Sequence, residues 1–323
     1  MRTFIKKILK KSFWLCCVYY LITDLLAKLR YYKGNIDTDS GSIHTEMISI
    51  DSSLAYIEKV FNDYKYYSGV QRFKGRVAEV GPGDNCGVGM LFLAEGCESV
   101  DLVDRFYSNR NSQQQALIYQ ALIERHPQSI AKFCDFDIND ETSFKGLQRY
   151  YGETASAEQF FTQTNYYDFI VSRAVLEHIY DPRLAIEKMV AALKNDGMLL
   201  HKVDLRNHGL FSDLHELSFF EVPDWLYPWL TKGSGAPNRI LINTYRQILA
   251  KTIPDYKILI TRLAGVGDID PHLPYEQIDS ALRNKSLDYV KSVKSKFSKS
   301  LRSISDEDLS VAGIFIVAHK SCV

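Results

Sequence analysis

Two acids, a glycine turn and three histidines are the residues of this chain whose types and spacing could do chemistry. The stretch from Arg76 to Gly89, RVAEVGPGDNCGVG, starts as an apolar strand, breaks at Gly81-Pro82-Gly83-Asp84-Asn85 and continues as a helix-like pattern. A strand, a glycine turn and a helix in that order grip a ligand: the glycines let backbone come close, and the helix start offers free N–H groups. About twenty residues further on, Val100 to Asp104 reads as a second strand ending in an acid, the arrangement that takes ribose hydroxyls in nucleotide-binding α/β folds. Glu177-His178 follows the apolar run Phe169 to Ser172, and His201, Asp204 and His208 lie on or just after Met198 to Val203. An imidazole beyond the C-terminal end of a parallel strand stands where α/β ligands bind and can take a proton from a hydroxyl.

Strand alternation puts His201 and Val203 on one face and Lys202 and Asp204 on the other. Asp204 is therefore not expected to act with His201 directly, whereas His208, in the exit loop, is within its reach. Each histidine also has a structural reading: a loop-closing hydrogen bond for His178, a loop cap for His208, a satisfied sheet histidine for His201. Asp204 and His208 have no third ligand at a telling spacing, so no divalent metal is expected.

The elements that must position these residues follow from periodicity. Apolar strands without clean polar alternation, separated by helical stretches, predict an α/β fold with a mainly parallel sheet covered on both faces. Helices are expected over Ile43 to Tyr67, with Leu54, Ile57, Val60 and Phe61 on one stripe, over Gln113 to Arg125, and from Asp181-Pro182 to Leu193, stopped by Lys194-Asn195-Asp196-Gly197. Either 131–137 or Leu147 to Tyr151 serves as the third core strand. Residues 1–30 carry Arg2, Lys6, Lys7, Lys10 and Lys11 ahead of an amphipathic helix whose uncharged run, Ser12 to Thr23, is shorter than the about 20 residues a bilayer span needs. That helix either lies on an anionic membrane surface or packs on the domain or a second copy. Residues 31–67 form a linker and leading helix, and 68–323 the main domain. An insertion at about 206–250 is rich in aromatics, among them Phe211, Trp225 and Trp229. Trp225 and Trp229, four apart, are either one helix face packed on the core or part of a lid over the substrate.

Composition narrows the class. With 39 basic and 39 acidic residues the net charge is zero, which gives no footprint for nucleic acid. Six scattered cysteines without a CxxC pair read as reduced thiols in a cytoplasmic protein and not as a disulfide framework or zinc site. A dinucleotide turn fails on its third glycine, which is Cys86 here, and Glu79 suits a cationic ligand better than a pyrophosphate.

Glu79-Val80-Gly81-Pro82-Gly83, Asp104, YDFIVSRAVLEHIYDP and LKNDG before a strand, taken together over about Arg76 to Val203, resemble the class I S-adenosylmethionine-dependent methyltransferases. The resemblance implies a Rossmann-like, doubly wound sheet of seven strands with the last antiparallel. It implies S-adenosylmethionine bound by Glu79, Gly81, Gly83, Asp104, Glu158, Ser172 and Arg173. Ala157-Glu158 is preferred to Asp135 or Asp137 because it precedes the fourth strand by the shorter interval. Asn85 stands where the family has a further glycine. His178, His208 and Asp204 are then the candidates for the base, and Trp225 and Arg239 for substrate contacts. HKVDLRNH and Asn238-Arg239-Ile240 look similar to a bacterial subgroup associated with surface-glycan methylation, which implies a glycan or glycolipid hydroxyl as acceptor. A quinone, lipid or other small-molecule acceptor, and a non-catalytic partner subunit, are the other readings; the first would suit the N-terminal helix equally well, with the protein on the inner face of the cytoplasmic membrane.

Overall fold

The computed structural model of the protein describes residues 12–44, 47–126, 144–207, 211 and 214–321. It opens with helix α1 (Phe13–Tyr32), a two-residue strand β1 (Asp37–Thr38) and helix α2 (Ile50–Ser68). Then come β2 (Gly75–Val80), α3 (Gly87–Glu95), β3 (Cys97–Asp104), a short β4 (Tyr107–Ser108), α4 (Ser112–Arg125) and β5 (Leu147–Tyr151). The second half holds β6 (Tyr167–Arg173), α5 (Pro182–Ala192) and β7 (Leu193–Asp204). After it come α6 (Tyr227–Thr231), α7 (Ile242–Thr252), β8 (Tyr256–Leu263), β9 (Gly267–Leu273), α8 (Ser280–Lys294) and β10 (Val311–His319), with two short helical turns, Lys299–Arg302 and Asp306–Ser310, before the last strand.

The sheet runs β5-β3-β2-β6-β7-β10-β8-β9. Strands β5, β3, β2, β6 and β7 are parallel to one another, and β10 is antiparallel to both its neighbours. This is the doubly wound arrangement expected, with the last strand reversed, and an eighth strand extends it. β9 pairs antiparallel to β8 at the sheet edge. Its sequence, GDIDPHL, lacks the apolar run of a core strand and contains a proline, which is tolerated at an edge and not in the centre.

Period-two alternation divides the sheet residues between two cores. Ala78, Val80, Ile170, Leu199, Ile314 and Ile316 pack under α5 and α7, through Ile186, Met189, Tyr245 and Ile248. Val77, Val100, Leu102, Val171, Leu200 and Phe315 pack under α2, α3 and α4, through Leu54, Ile57, Tyr64, Phe92 and Ile118. The leading helix α2 is thus an integral layer of the domain. Leu147–Tyr151 is the third core strand; 131–137 lies outside the described residues. The helix ahead of β7 ends at Ala192, and Lys194-Asn195-Asp196-Gly197 already belongs to the strand, with Asp196 N donating to Lys320 O at 2.7 Å.

A third cluster joins α1 to the aromatic insertion: Cys16 and Cys17 pack with Phe211, Phe219, Phe220, Tyr227 and Leu230. The helix therefore docks on the domain by one face. Its other face, including Trp14, Val18, Ile22, Leu25 and Leu26, is exposed. Among the described residues no helix is long and apolar enough to cross a membrane.

Candidate functional site

The sheet order reverses between β2 and β6: the chain winds outward through β3 and β5, returns to β6, and winds the other way. The C-terminal ends of the strands at such a switch point leave a crevice. A cavity of about 410 Å³ lies there. Its wall includes Glu79, Gly81, Gly83, Asp104, Glu158, Arg173 and His178, seven residues predicted from four different segments.

Glu79, at the end of β2, is 7% exposed, and its Oε2 has no hydrogen-bond partner. Burial pushes its carboxyl up to about 8, only partly opposed by the Arg149 guanidinium. Arg173, at the end of β6, donates to Asp63 at 2.8 Å. Asp104 ends β3; its Oδ1 accepts from Phe106 N at 3.0 Å, and burial raises it to about 6. Glu158 Oε1 accepts from Tyr180 N at 3.1 Å and Asp181 N at 3.3 Å, which ties the segment before α5 to the cavity wall.

The turn glycines allow other segments of the same chain to approach closely. Gly81 has φ +70°, and a Cβ there would stand 2.3 Å from Val175 Cγ2. At Gly83, φ +68°, a Cβ would stand 2.8 Å from the carbonyl oxygen of Gly41. Gly81→Ala is expected to cost about 2–3 kcal/mol from the left-handed backbone and the forced movement of Val175. Urea unfolding checks this, and a loss below about 0.5 kcal/mol, the scatter of neutral surface changes, would contradict it.

Gly41 belongs to a segment expected to be linker. Residues 37–44 instead cross the cavity as a strap. β1 pairs parallel to β4, Ser108 Oγ donates to Ser40 O at 2.8 Å, and Ser42 Oγ donates to Asn109 O. His44 N donates to Asp84 Oδ2 at 2.9 Å, and Asp84 N to Gly41 O at 3.3 Å. Thr38, Ser40, Gly41, Ile43 and His44 line the cavity. His44 is buried and pushed down to about 4, hence neutral, and its Nδ1 has no partner. On the facing side Arg149, from β5, donates to Gly83 O at 3.0 Å.

His178 sits in a short 3-10 turn, Leu176–His178, and its Nδ1 lies 2.7 Å from Gly235 O. A carbonyl can only accept, so Nδ1 carries the proton, and in the neutral ring Nε2 has the lone pair. Asn238 brackets this turn. Its N donates to Glu177 O at 2.6 Å, and its Nδ2 to Leu176 O at 2.8 Å and Ile179 O at 2.9 Å.

Other predicted residues are placed elsewhere. Ser172 is fully buried, with Oγ 2.8 Å from His201 Nδ1, its register partner on β7, and it is absent from the cavity wall. His201 is neutral, its imidazole driven down to about 3 by burial. The Asp204 carboxylate is held by the Arg206 guanidinium, Nε at 2.8 Å, and is also absent from the wall. His208 lies outside the described residues. Arg239 is enclosed by the insertion, stacked 3.6 Å from the Tyr227 ring centroid and donating to Phe219 O and to Val222 O at 2.8 Å. That makes it a tie within the insertion, away from the cavity wall. Trp225 and Trp229 are 72% and 62% exposed, so they neither pack on the core nor line the cavity. Among the described residues no group of three or more His, Cys, Asp or Glu is placed to hold a metal.

A mainly parallel sheet with a crevice at its switch point, lined by acids at the ends of two strands and by a histidine beyond a third, has the layout of a nucleotide-binding α/β scaffold. Residues 55–246, more than half of the chain, match the methyltransferase domain family; the chain belongs to that family and is a methyltransferase. No curated protein matches the sequence significantly. Among solved structures it is similar to phosphoethanolamine N-methyltransferase 2 of Haemonchus contortus, solved with phosphomonomethylethanolamine and S-adenosylhomocysteine. That likeness has 15% identity and a TM-score of 0.43, covering 82% of this chain and 53% of that one, so the chain spans about half of that enzyme. It is also similar to the YcgJ protein of Bacillus subtilis, at 12% identity and TM-score 0.41 over 83% of this chain and 99% of that one. The CurJ carbon methyltransferase is a third, at 13% identity and TM-score 0.39 over 83% and 54%. Likeness this remote says nothing about the substrate, and membership rests on the family match.

Proposed function

We propose that the protein transfers the methyl group of S-adenosylmethionine to a hydroxyl of a glycan or glycolipid. The observation that carries the donor assignment is Glu79, a buried carboxyl in the cavity wall with an unpartnered oxygen. That oxygen suits the ammonium of a methionine group, and Arg173 at the end of the adjacent strand suits its carboxylate. Asp104 then accepts from the ribose hydroxyls, and Glu158 stands on the adenine side. The volume falls within the range of about 300–1,000 Å³ usual for small-molecule sites. When bound, the donor supplies an electrophilic sulfonium methyl. The chain's part is to hold the acceptor oxygen in line, exclude water and take up the hydroxyl proton at His178 Nε2. A thermal-shift titration tests the assignment: S-adenosylhomocysteine raises Tm and NAD does not. Equal stabilisation by both, or by neither, would overturn it.

The exposed face of α1 supports a site of action at an anionic bilayer. Trp14, Val18, Leu21, Ile22, Leu25 and Leu26 present apolar surface, and the helix's one acid, Asp24, is turned inward and buried. Trp229 stands beside it, with Lys28 Nζ 5.8 Å from its ring, and five basic residues precede the helix in the sequence. An apolar stripe flanked by cations and tryptophans is the pattern of an interfacial helix. Co-sedimentation with phosphatidylcholine vesicles containing about a third phosphatidylglycerol should pellet the protein, and Leu21→Glu with Leu25→Glu should weaken this about tenfold or more. Unchanged pelleting, or a dimer lost in the variant by light scattering, would give that face to something other than lipid.

A further inference from the structure

Asp24 is the single acid of α1, and its side chain is 1% exposed. Its Oδ1 accepts from Gly233 N at 2.8 Å, Ser234 N at 2.8 Å and Ser234 Oγ at 2.9 Å, and its Oδ2 from Gly233 N at 2.9 Å. The partners are 209 and 210 residues away in the chain. Apolar packing of Cys16 and Cys17 against the insertion would dock the helix without a charge. A buried carboxylate is costly unless fully hydrogen-bonded, and this one is met by two consecutive peptide N–H groups and a hydroxyl. What such a group adds is direction: it fixes the 233–234 peptides in one orientation. The approach is close enough that a Cβ on Gly233 would stand 2.4 Å from the Asp24 carbonyl oxygen.

The next residue in that segment is Gly235, whose carbonyl holds His178 Nδ1. Ser234, Gly235 and His178 all line the cavity. The path from the helix to the imidazole is therefore one carboxylate, two peptides and one hydrogen bond. A free imidazole favours the Nε2–H tautomer, which has no lone pair on Nε2 to receive a proton; the Gly235 carbonyl reverses that preference.

We propose that Asp24 is a positioning residue for His178: by anchoring residues 233–234 to α1 it holds the Gly235 carbonyl where it enforces the Nδ1–H tautomer. The proposal rests on the reading of His178 as the base. Because the anchor sits on α1, the N-terminal helix is part of the catalytic apparatus as well as a surface element. Gly233 and Ser234 then serve a contact that neighbours in sequence do not reveal.

The test uses the full chain labelled with ¹⁵N-histidine, the His178 signals being assigned by their loss in His178→Gln. The parent should show the Nδ1–H tautomer at this residue. Asp24→Ala should shift the tautomer ratio toward Nε2–H by about fivefold or more, the effect of releasing one ordinary hydrogen bond. Asp24→Asn, which keeps an acceptor oxygen, should restore most of it, and a general loosening of the fold would not be rescued in this way. S-adenosylhomocysteine should still raise Tm in both variants, which shows that the cavity is intact. Should Asp24→Ala fail to fold, Ser234→Ala, which removes one of the four bonds, should give a smaller shift in the same direction. An Nδ1–H signal unchanged in these folded variants overturns the proposal and leaves the base reading standing. Methyl transfer unchanged in His178→Gln overturns the base reading itself.

Discussion

Glu79→Gln should make the ligand-free protein more stable at pH 8–9 and weaken its binding of S-adenosylhomocysteine about 100-fold, the loss of a charge-assisted hydrogen bond. The carboxyl is raised from 4.5 to about 8 by burial. The unfolded chain ionises it more readily than the native one, so between these values the native state binds more protons and stability falls as pH rises. The loss begins near pH 4.5 and is complete once pH has passed about 8. At about 1.4 kcal/mol per unit its ceiling is about 5 kcal/mol, and contact with solvent in the cavity lowers this. Glutamine removes the slope. Urea unfolding at pH 5 and pH 8.5, parent against variant, reads it directly: the difference in stability should grow with pH. A difference that is flat in pH, or an affinity unchanged in the variant, would remove Glu79 from the site. The carboxyl that disfavours the empty site at alkaline pH is the one proposed to capture the donor's ammonium, so stability and binding oppose each other at this position.

His178→Ala should reduce methyl transfer by about 10²–10⁴-fold, the usual contribution of a general base, and change the affinity for S-adenosylhomocysteine by no more than about twofold. Incorporation of labelled methyl from S-adenosylmethionine into a detergent-extracted glycolipid fraction, beside a calorimetric titration, separates the two quantities. The split between rate and affinity is the point. Near-parental transfer would mean that alignment alone suffices and that His178 is a loop tie. Loss of both together would make the histidine part of the donor pocket.

The residues that could be read from the sequence are those whose position on an element decides their role. Glu79, Asp104, Arg173 and His178 each end or follow an apolar strand, and parallel strands send all such ends to one edge of the sheet. Their convergence on one cavity follows from topology. Ser172, one residue before Arg173, was assigned by the same logic and points elsewhere, because alternation turns it to its register partner His201. The strap at 37–44 was hidden because its contacts run largely through backbone groups, and its Thr, Asp, Ser and Gly residues are those of a linker. In sequence Asp24 is one polar position on an amphipathic helix, and nothing local distinguishes an acid facing water from one facing Gly233. Asn238 stood out in the sequence, but its function as a bracket around Leu176–His178 needs the fold. Trp225 and Trp229 show the reverse error, large aromatics whose exposure no periodicity foretells.

Binding of the methyl donor in the switch-point cavity should ionise Glu79. Calorimetric titration of the parent protein with S-adenosylhomocysteine at pH 7, in two buffers of different ionisation enthalpy, tests it most directly. A carboxyl held near 8 is mostly protonated at that pH and must give up its proton to pair with the ligand's ammonium. One site per chain should titrate, with net release of protons on binding. Binding without proton release, or no binding, would contradict it.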